Sequence, residues 1–133
     1  MIVTLLTDFG TADSYVAELK GVLLSRTTDI TFVDISHEVP PGDIRAAQYL
    51  LSRTWKHFPR GTIHIAVVDP DVGTERRAMA AESGGHRFLA PDNGLLSFLP
   101  ADATFVSMPV PADASATFHG RDVFAPAAAT LAA

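Results

Sequence analysis

Three short apolar stretches, rich in β-type residues and separated by helical patterns, constrain the fold of this chain more than any other feature. They occupy residues 2–6, 31–35 and 62–68. Apolar runs of this length that end at Asp, Pro or Gly are typical of strands buried in a parallel sheet. Helical spacing of apolar residues follows the first two, over residues 14–25 after an Asp13 or Ser14 cap, and from an Asp43 cap to about residue 55. This order predicts a βαβαβ unit with right-handed crossovers.

A β-hairpin is predicted after the third strand, because residues 77–82 and 86–90 flank Ser83-Gly84-Gly85. A weaker strand over residues 103–108 and an alanine-rich helix over 123–133 follow. At 133 residues with 47% hydrophobic content, the chain has room for one packed core. We therefore expect one α/β domain over residues 1–133, with a Rossmann-like, mostly parallel sheet flanked by helices.

Composition excludes several classes of protein. With no cysteine there is no disulfide framework, zinc finger or thiol nucleophile. A net charge of −5 with scattered arginines argues against a nucleic-acid partner. The first apolar run ends at Asp8, too early to span a bilayer, so we expect no membrane association and a cytoplasmic location.

Acidic residues follow the first and third predicted strands, where ligands bind in sheets of this kind. Asp8 and Asp13 lie in the first loop and Asp69 ends the third strand. Paired carboxylates could bind a divalent metal, accept both hydroxyls of a ribose or attract a cation, and Asp8 and Asp13 could also cap turns. No Gly-x-Gly-x-x-Gly or Gly-Lys-Ser/Thr loop signals a polyphosphate. Asp69 opens a Pro- and Gly-containing turn that returns with Arg76 and Arg77, so charges of both signs flank one cleft.

The positions of the histidines in the sequence predict different roles for them. His119 lies in a loop before the last predicted helix, where it could act chemically or cap the helix. His57, His64 and His86 are interpreted as surface or structural residues. His37 is ambiguous because it directly follows a strand.

Six blocks of the sequence, in order, resemble the motifs of the S-adenosyl-L-methionine hydroxide adenosyltransferases, which form adenosine and are related to fluorinase and chlorinase. The blocks are TDFGT at 7–11, DISHEVPP at 34–41, VVDP at 67–70, GTERR at 73–77, APDNGLL at 90–96 and TFHGRD at 117–122. Together they form a specific signal that extends over most of the chain.

The resemblance implies that water cleaves S-adenosyl-L-methionine into adenosine and L-methionine, with no metal or organic cofactor. It assigns the proposed catalytic trio to Asp69, Arg76 and His119. In the related halogenases the position of Asp69 is a tyrosine and that of His119 also differs. These two residues therefore indicate the branch of the family that uses water.

The same resemblance assigns the ribose diol to Asp8 and the lining of the nucleoside pocket to Asp13, Phe118 and Gly120. It implies a small-molecule substrate and a homo-oligomer, a trimer in the family, whose site lies between one subunit's N-terminal domain and its neighbour's C-terminal domain. Residues 1–133 correspond to the catalytic-type N-terminal domain. We expect the β-rich C-terminal domain to be absent.

Two other functions stay open at this point. The domain could bind adenosine or S-adenosyl-L-methionine without turning it over, or pack against a full-length relative. Alternatively, Asp8 and Asp69 could serve a metal-dependent, phosphatase-like hydrolase.

Overall fold

Strands and helices alternate along the first half of the chain in the computed structural model, which describes residues 1–70, 77–108, 124, 127 and 128. The elements are β1 (Ile2–Thr7), α1 (Tyr15–Arg26), β2 (Thr31–Ser36), α2 (Ile44–Thr54), a 3-10 turn (Trp55–His57), β3 (Ile63–Val67), β4 (Ala78–Ser83), β5 (His86–Pro91) and β6 (Thr104–Met108). Each predicted strand and the first two predicted helices are confirmed. Within the last predicted helix, over residues 123–133, the structure describes Phe124, Ala127 and Ala128. Ala127 and Ala128 are helical, and the bounds of the helix lie outside the described residues.

The strands form one sheet in the order β2-β1-β3-β5-β4-β6. Neighbours among β2, β1, β3 and β5 run parallel, whereas β4 is antiparallel to β5 and β6. This confirms the predicted mostly parallel α/β sheet with a hairpin after the third strand. The second strand of the hairpin, β5, is the one that pairs with β3.

Two apolar layers enclose the central strands, which explains why β1 and β3 are apolar almost throughout. On one face the core contains Val3, Leu5, Ile63 and Ile65 with Leu19 and Leu23 of α1, and it also includes Phe124 and Ala128. On the other face Leu6 and Ala66 belong to a core with Ala47 and Leu51 of α2. Neither helix, nor any other in the part of the chain that the structure describes, is long and apolar enough to cross a membrane.

The two helices begin differently. Asp43 caps α2 as predicted, with its carboxylate accepting a hydrogen bond from the Ala46 amide at 3.0 Å. The cap of α1 is confirmed in position, since Ser14 occupies the N-cap, but no side-chain cap hydrogen bond forms. The Ser14 hydroxyl lies 3.0 Å from Glu18 Oε2 and 3.4 Å from Asp13 Oδ1, and Asp13 Oδ1 also accepts the Ser14 amide at 2.6 Å. The Ser14 hydroxyl thus binds neighbouring carboxylates, and α1 begins without the side-chain cap that α2 has.

A row of buried polar side chains crosses the sheet. The Thr4 hydroxyl lies 2.7 Å from His64 Nδ1, and His64 Nε2 lies 3.1 Å from His86 Nδ1. The His64 ring also stacks on Phe88, with centroids 4.9 Å apart. Burial, and secondarily the charge of His86, lower the pKa of His64 to about 3, and burial also lowers the pKa of His86. The lowered pKa values keep both imidazoles neutral at pH 7, and their burial agrees with the structural role expected from their positions in strands.

The neutral state of His64 predicts how the free energy of unfolding depends on pH. Below about pH 6.5 the unfolded chain binds a proton at His64, whereas the folded chain resists protonation until about pH 3. Stability should therefore decrease as the pH falls through this window, by at most about 5 kcal/mol from this residue.

Urea unfolding at a series of pH values measures this effect. His64→Gln should flatten the dependence, whereas His57→Gln, which changes an exposed histidine, should leave it as in the unsubstituted chain. An unchanged slope in His64→Gln would show that this buried imidazole does not carry the dependence.

Candidate functional site

Asp8 and Asp69 follow the neighbouring strands β1 and β3 at one edge of the sheet, namely the edge formed by the carboxyl ends of the parallel strands. β1 and β3 are parallel with Thr7 opposite Val67, so the two carboxylates come one and two residues beyond a paired position. The chain passes from β1 to β2 on one side and reaches β3 on the other. The edge between β1 and β3 is therefore a topological switch point, the place where open α/β sheets bind ligands. Both acidic residues are partly exposed there.

The turn before α2 connects the Asp8 carboxylate to Pro70, the residue after Asp69. Asp8 Oδ2 accepts a hydrogen bond of 2.8 Å from the Gly42 amide. Gly42 has a φ of +73°, and a Cβ at this position would lie 3.1 Å from the Cβ of Pro70. Only glycine adopts this conformation without strain while keeping the close approach. The Asp8 side chain thus holds a turn that abuts the residue after Asp69.

Asn93 fixes the end of β3 from the other side. Its Nδ2 donates to the Val68 carbonyl at 3.0 Å, while its Oδ1 accepts from the Leu95 amide at 3.2 Å. Both halves of the amide are therefore engaged, and the peptide that precedes Asp69 is anchored to the loop after β5. The orientation of the Asp69 backbone depends on this loop as well as on Pro70.

A hydrogen-bonded chain of side chains reaches the same edge from α1 and β2. Lys20 Nζ donates to Asp34 Oδ2 at 2.8 Å, and Asp34 Oδ1 lies 2.8 Å from His37 Nε2. His37 Nδ1 lies 2.7 Å from the Thr7 hydroxyl. Burial opposes ionisation of Asp34, but the hydrogen bonds from Lys20 and His37 outweigh it and lower the pKa of this carboxyl. Asp34 is therefore a carboxylate that only accepts hydrogen bonds.

The structure brings together part of the predicted site. Asp8 and Asp69 are on the same edge, whereas Asp13 is exposed in the loop before α1 and accepts its neighbour's amide. The remaining predicted positions lie outside the described residues: Arg76, Phe118, His119 and Gly120. Among the residues that are described, no three or more histidine, aspartate or glutamate side chains form a cluster that could hold a metal ion. The described edge offers carboxylate oxygens suited to hydroxyl groups or to a cation.

Sequence reasoning missed the roles of Gly42 and Asn93. Pro40, Pro41 and Gly42 are typical of a turn, but the Gly42 amide binds Asp8, 34 residues earlier, and no local pattern encodes that pairing. Asn93 similarly binds a carbonyl 25 residues away. The available signals were a glycine just before the N-cap of α2 and an asparagine just after β5.

Residues 3–133 match the family model of the SAM hydroxide adenosyltransferase N-terminal domain. The chain is 46% identical over 134 residues to an (R)-S-adenosyl-L-methionine hydrolase of Salinispora tropica, covering 95% of this chain and 51% of that protein. It is 29% identical over 163 residues to a fluorinase of an Actinoplanes species, covering 99% of this chain and 54% of that protein.

The fold is also similar to a solved structure, that of an uncharacterized conserved protein from Thermotoga maritima. The TM-score is 0.89 at 36% sequence identity, covering 98% of this chain and 54% of that chain. The chain thus spans about half the length of the relatives it matches. Because the family model extends over almost every residue, the chain belongs to the SAM hydroxide adenosyltransferase family and corresponds to its N-terminal domain.

Proposed function

We propose that this chain hydrolyses S-adenosyl-L-methionine to adenosine and L-methionine, by attack of water on the ribose 5′-carbon. The observation that carries the proposal is Asp69 at the carboxyl end of β3, beside Asp8, in a domain of this family. The higher identity to a hydrolase, 46% against 29% for a fluorinase, supports water as the nucleophile.

The reaction requires an oriented water more than an acid. The water oxygen forms a bond to C5′ as the bond from C5′ to sulfur breaks, and the electron pair of that bond stays on sulfur. The sulfonium becomes a neutral thioether, so the leaving group needs no proton. The water loses one proton, which passes along its hydrogen bond to Asp69 or His119 and from there to solvent. Holding the water in line with the breaking bond is the main task of the site.

The proposed catalytic roles fall on three residues. Asp69 and His119 accept hydrogen bonds from the attacking water, and Arg76 stabilises its hydroxide-like form. The described structure supports the role of Asp69, because Asn93 and the turn at Gly42 hold both sides of the backbone at this position. A fixed backbone reduces the entropy that must be lost when water is oriented.

Substrate binding is assigned to Asp8, Asp13, Phe118 and Gly120. Asp8 Oδ2 is held by the Gly42 amide, so Oδ1 and the remaining acceptor positions of the carboxylate are left to receive the two ribose hydroxyls. Asp13, Phe118 and Gly120 line the nucleoside pocket in this proposal. Carboxylates at this edge also favour a cationic sulfonium over its neutral products.

The proposal has no metal or organic cofactor, because neither the leaving group nor the water requires a Lewis acid when Asp69, Arg76 and His119 act together. It includes self-association of the chain, as a trimer by family resemblance, and a cytoplasmic location. Sedimentation and cell fractionation test these two points separately.

Product analysis tests the reaction directly. The purified chain incubated with S-adenosyl-L-methionine should form adenosine and methionine in equal amounts, and addition of a metal chelator should not change the rate. Saturable binding without products would support a binding module instead. Release of phosphate from a phosphate ester, dependent on a divalent metal, would support the phosphatase-like alternative.

Substitution of the proposed water-binding residues should separate turnover from binding. Asp69→Asn and His119→Ala should each lower kcat by about two orders of magnitude or more, since each removes a group that orients the nucleophile. The adenosine dissociation constant, measured by calorimetry, should change little. Asp29→Asn is the matched control, because it neutralises an exposed carboxylate just before β2, at the opposite edge of the sheet. Full turnover in both site variants would refute the mechanism.

A further inference from the structure

We propose that His37 is a positioning residue that fixes the loop carrying Asp8 at the ligand-binding edge. The inference rests on the proposed function in one respect, namely that Asp8 binds the ribose diol. His37 is buried, with 6% of its surface exposed, although it follows the end of a strand and precedes a loop. A polar ring buried at such a place needs specific partners. These partners are Asp34 of β2 and Thr7, the residue immediately before Asp8.

The strand register brings His37 to this position. β1 and β2 pair in parallel, and an irregularity between Leu5 and Leu6 shifts the register so that Leu6 lies opposite Ser36. The next residue on each strand is Thr7 on β1 and His37 after β2. The shift therefore places the imidazole beside the last residue of β1, immediately before Asp8.

The direction of each hydrogen bond follows from the charge of Asp34. This carboxylate can only accept, so the proton between the two groups lies on His37 Nε2, 2.8 Å from Asp34 Oδ1. When the ring carries only this proton, Nδ1 is an acceptor, and the Thr7 hydroxyl 2.7 Å away donates to it. The hydroxyl oxygen remains available as an acceptor, and the Phe9 amide donates to it at 3.2 Å.

The backbone of His37 makes a second link to the same loop. Its carbonyl accepts a hydrogen bond of 2.7 Å from the Gly10 amide. The residues immediately before and after Asp8 are thus tied to His37, through Thr7 on one side and through Phe9 and Gly10 on the other. Gly10 has a φ of +73°, so this loop includes a residue with high conformational freedom in the unfolded chain. The bonds made by the His37 carbonyl to Gly10 and by its ring to Thr7 offset that freedom.

A residue that only fills space needs no hydrogen-bond donor or acceptor. If His37 served only to fill volume, a side chain of similar size would hold Asp8 equally well. If it positions Asp8, an acceptor at the place of Nδ1 is the essential feature. Asparagine places an amide oxygen close to that atom, whereas leucine has the bulk without the acceptor.

Amide hydrogen exchange tests the positioning role without any ligand. His37→Leu should accelerate exchange of the Phe9 and Gly10 amides about tenfold or more relative to Leu5 in β1. It should do the same at Gly42, whose amide reports the orientation of the Asp8 carboxylate. His37→Asn should restore most of the protection, and the exposed-residue control His57→Gln should leave it unchanged. In the unsubstituted chain, nitrogen NMR of the imidazole should show the proton on Nε2.

Nucleoside selectivity connects this role to Asp8. The preference for adenosine over 2′-deoxyadenosine, measured by calorimetry, should fall about tenfold in His37→Leu and be largely recovered in His37→Asn. Asp8→Asn should lose the same preference, although its amide oxygen can still accept the Gly42 amide. If His37→Leu does not fold, Thr7→Val removes the hydroxyl at nearly constant shape and should show both effects.

The outcomes are separable. If the unsubstituted chain binds neither nucleoside, the proposed function is wrong, while amide exchange still decides whether His37 holds the loop. Unchanged exchange at Phe9, Gly10 and Gly42 in the leucine variant overturns the inference even if adenosine binds well. So does faster exchange with an intact preference for the ribose diol, or a failure of asparagine to restore protection.

Discussion

The hydrogen bond from the Gly42 amide to the Asp8 carboxylate is the interaction on which the geometry of the candidate site depends. It joins the end of β1 to the turn that begins α2, and that turn lies against Pro70 at the end of β3. Three segments that are distant in sequence are therefore held at one edge of the sheet. The residue in contact with both Asp8 and Pro70 is a glycine that could not be replaced without strain, since its φ is positive and an added Cβ would crowd Pro70.

Polar side chains enter the buried sheet only as members of complete networks. Among the described residues, every buried side-chain nitrogen and oxygen has a hydrogen-bond partner. The Thr4–His64–His86 row lies between β1, β3 and β5 and stabilises the interior as neutral imidazoles. The Thr7–His37–Asp34 chain uses similar chemistry at the carboxyl end of β1, where a ligand would bind. The same residue types thus serve packing in one place and the site in the other.

The sequence was sufficient for the strands, because their signal is local: short apolar runs such as residues 2–6 that end at acids or turns. The placement of Asp8 and Asp69 followed from the rule that parallel strands end at a common edge. Long-range partners could not be predicted, since the Gly42 amide and the Asn93 side chain bind residues far along the chain. The position of the α1 cap at Ser14 was predicted, but its hydroxyl binds the Glu18 and Asp13 carboxylates and makes no side-chain cap hydrogen bond. The roles of Arg76, Phe118, His119 and Gly120 stay predictions.

The central claim is that water attacks the 5′-carbon at the edge that Asp8 and Asp69 share. Incubation of the chain with S-adenosyl-L-methionine in water enriched in oxygen-18, followed by mass spectrometry of the products, tests it most directly. The account predicts one heavy oxygen in adenosine, at the 5′-hydroxyl, and none in methionine. Formation of labelled homoserine together with methylthioadenosine would place the attack on the amino-acid side of the sulfur and contradict the account, as would adenosine that carries no label.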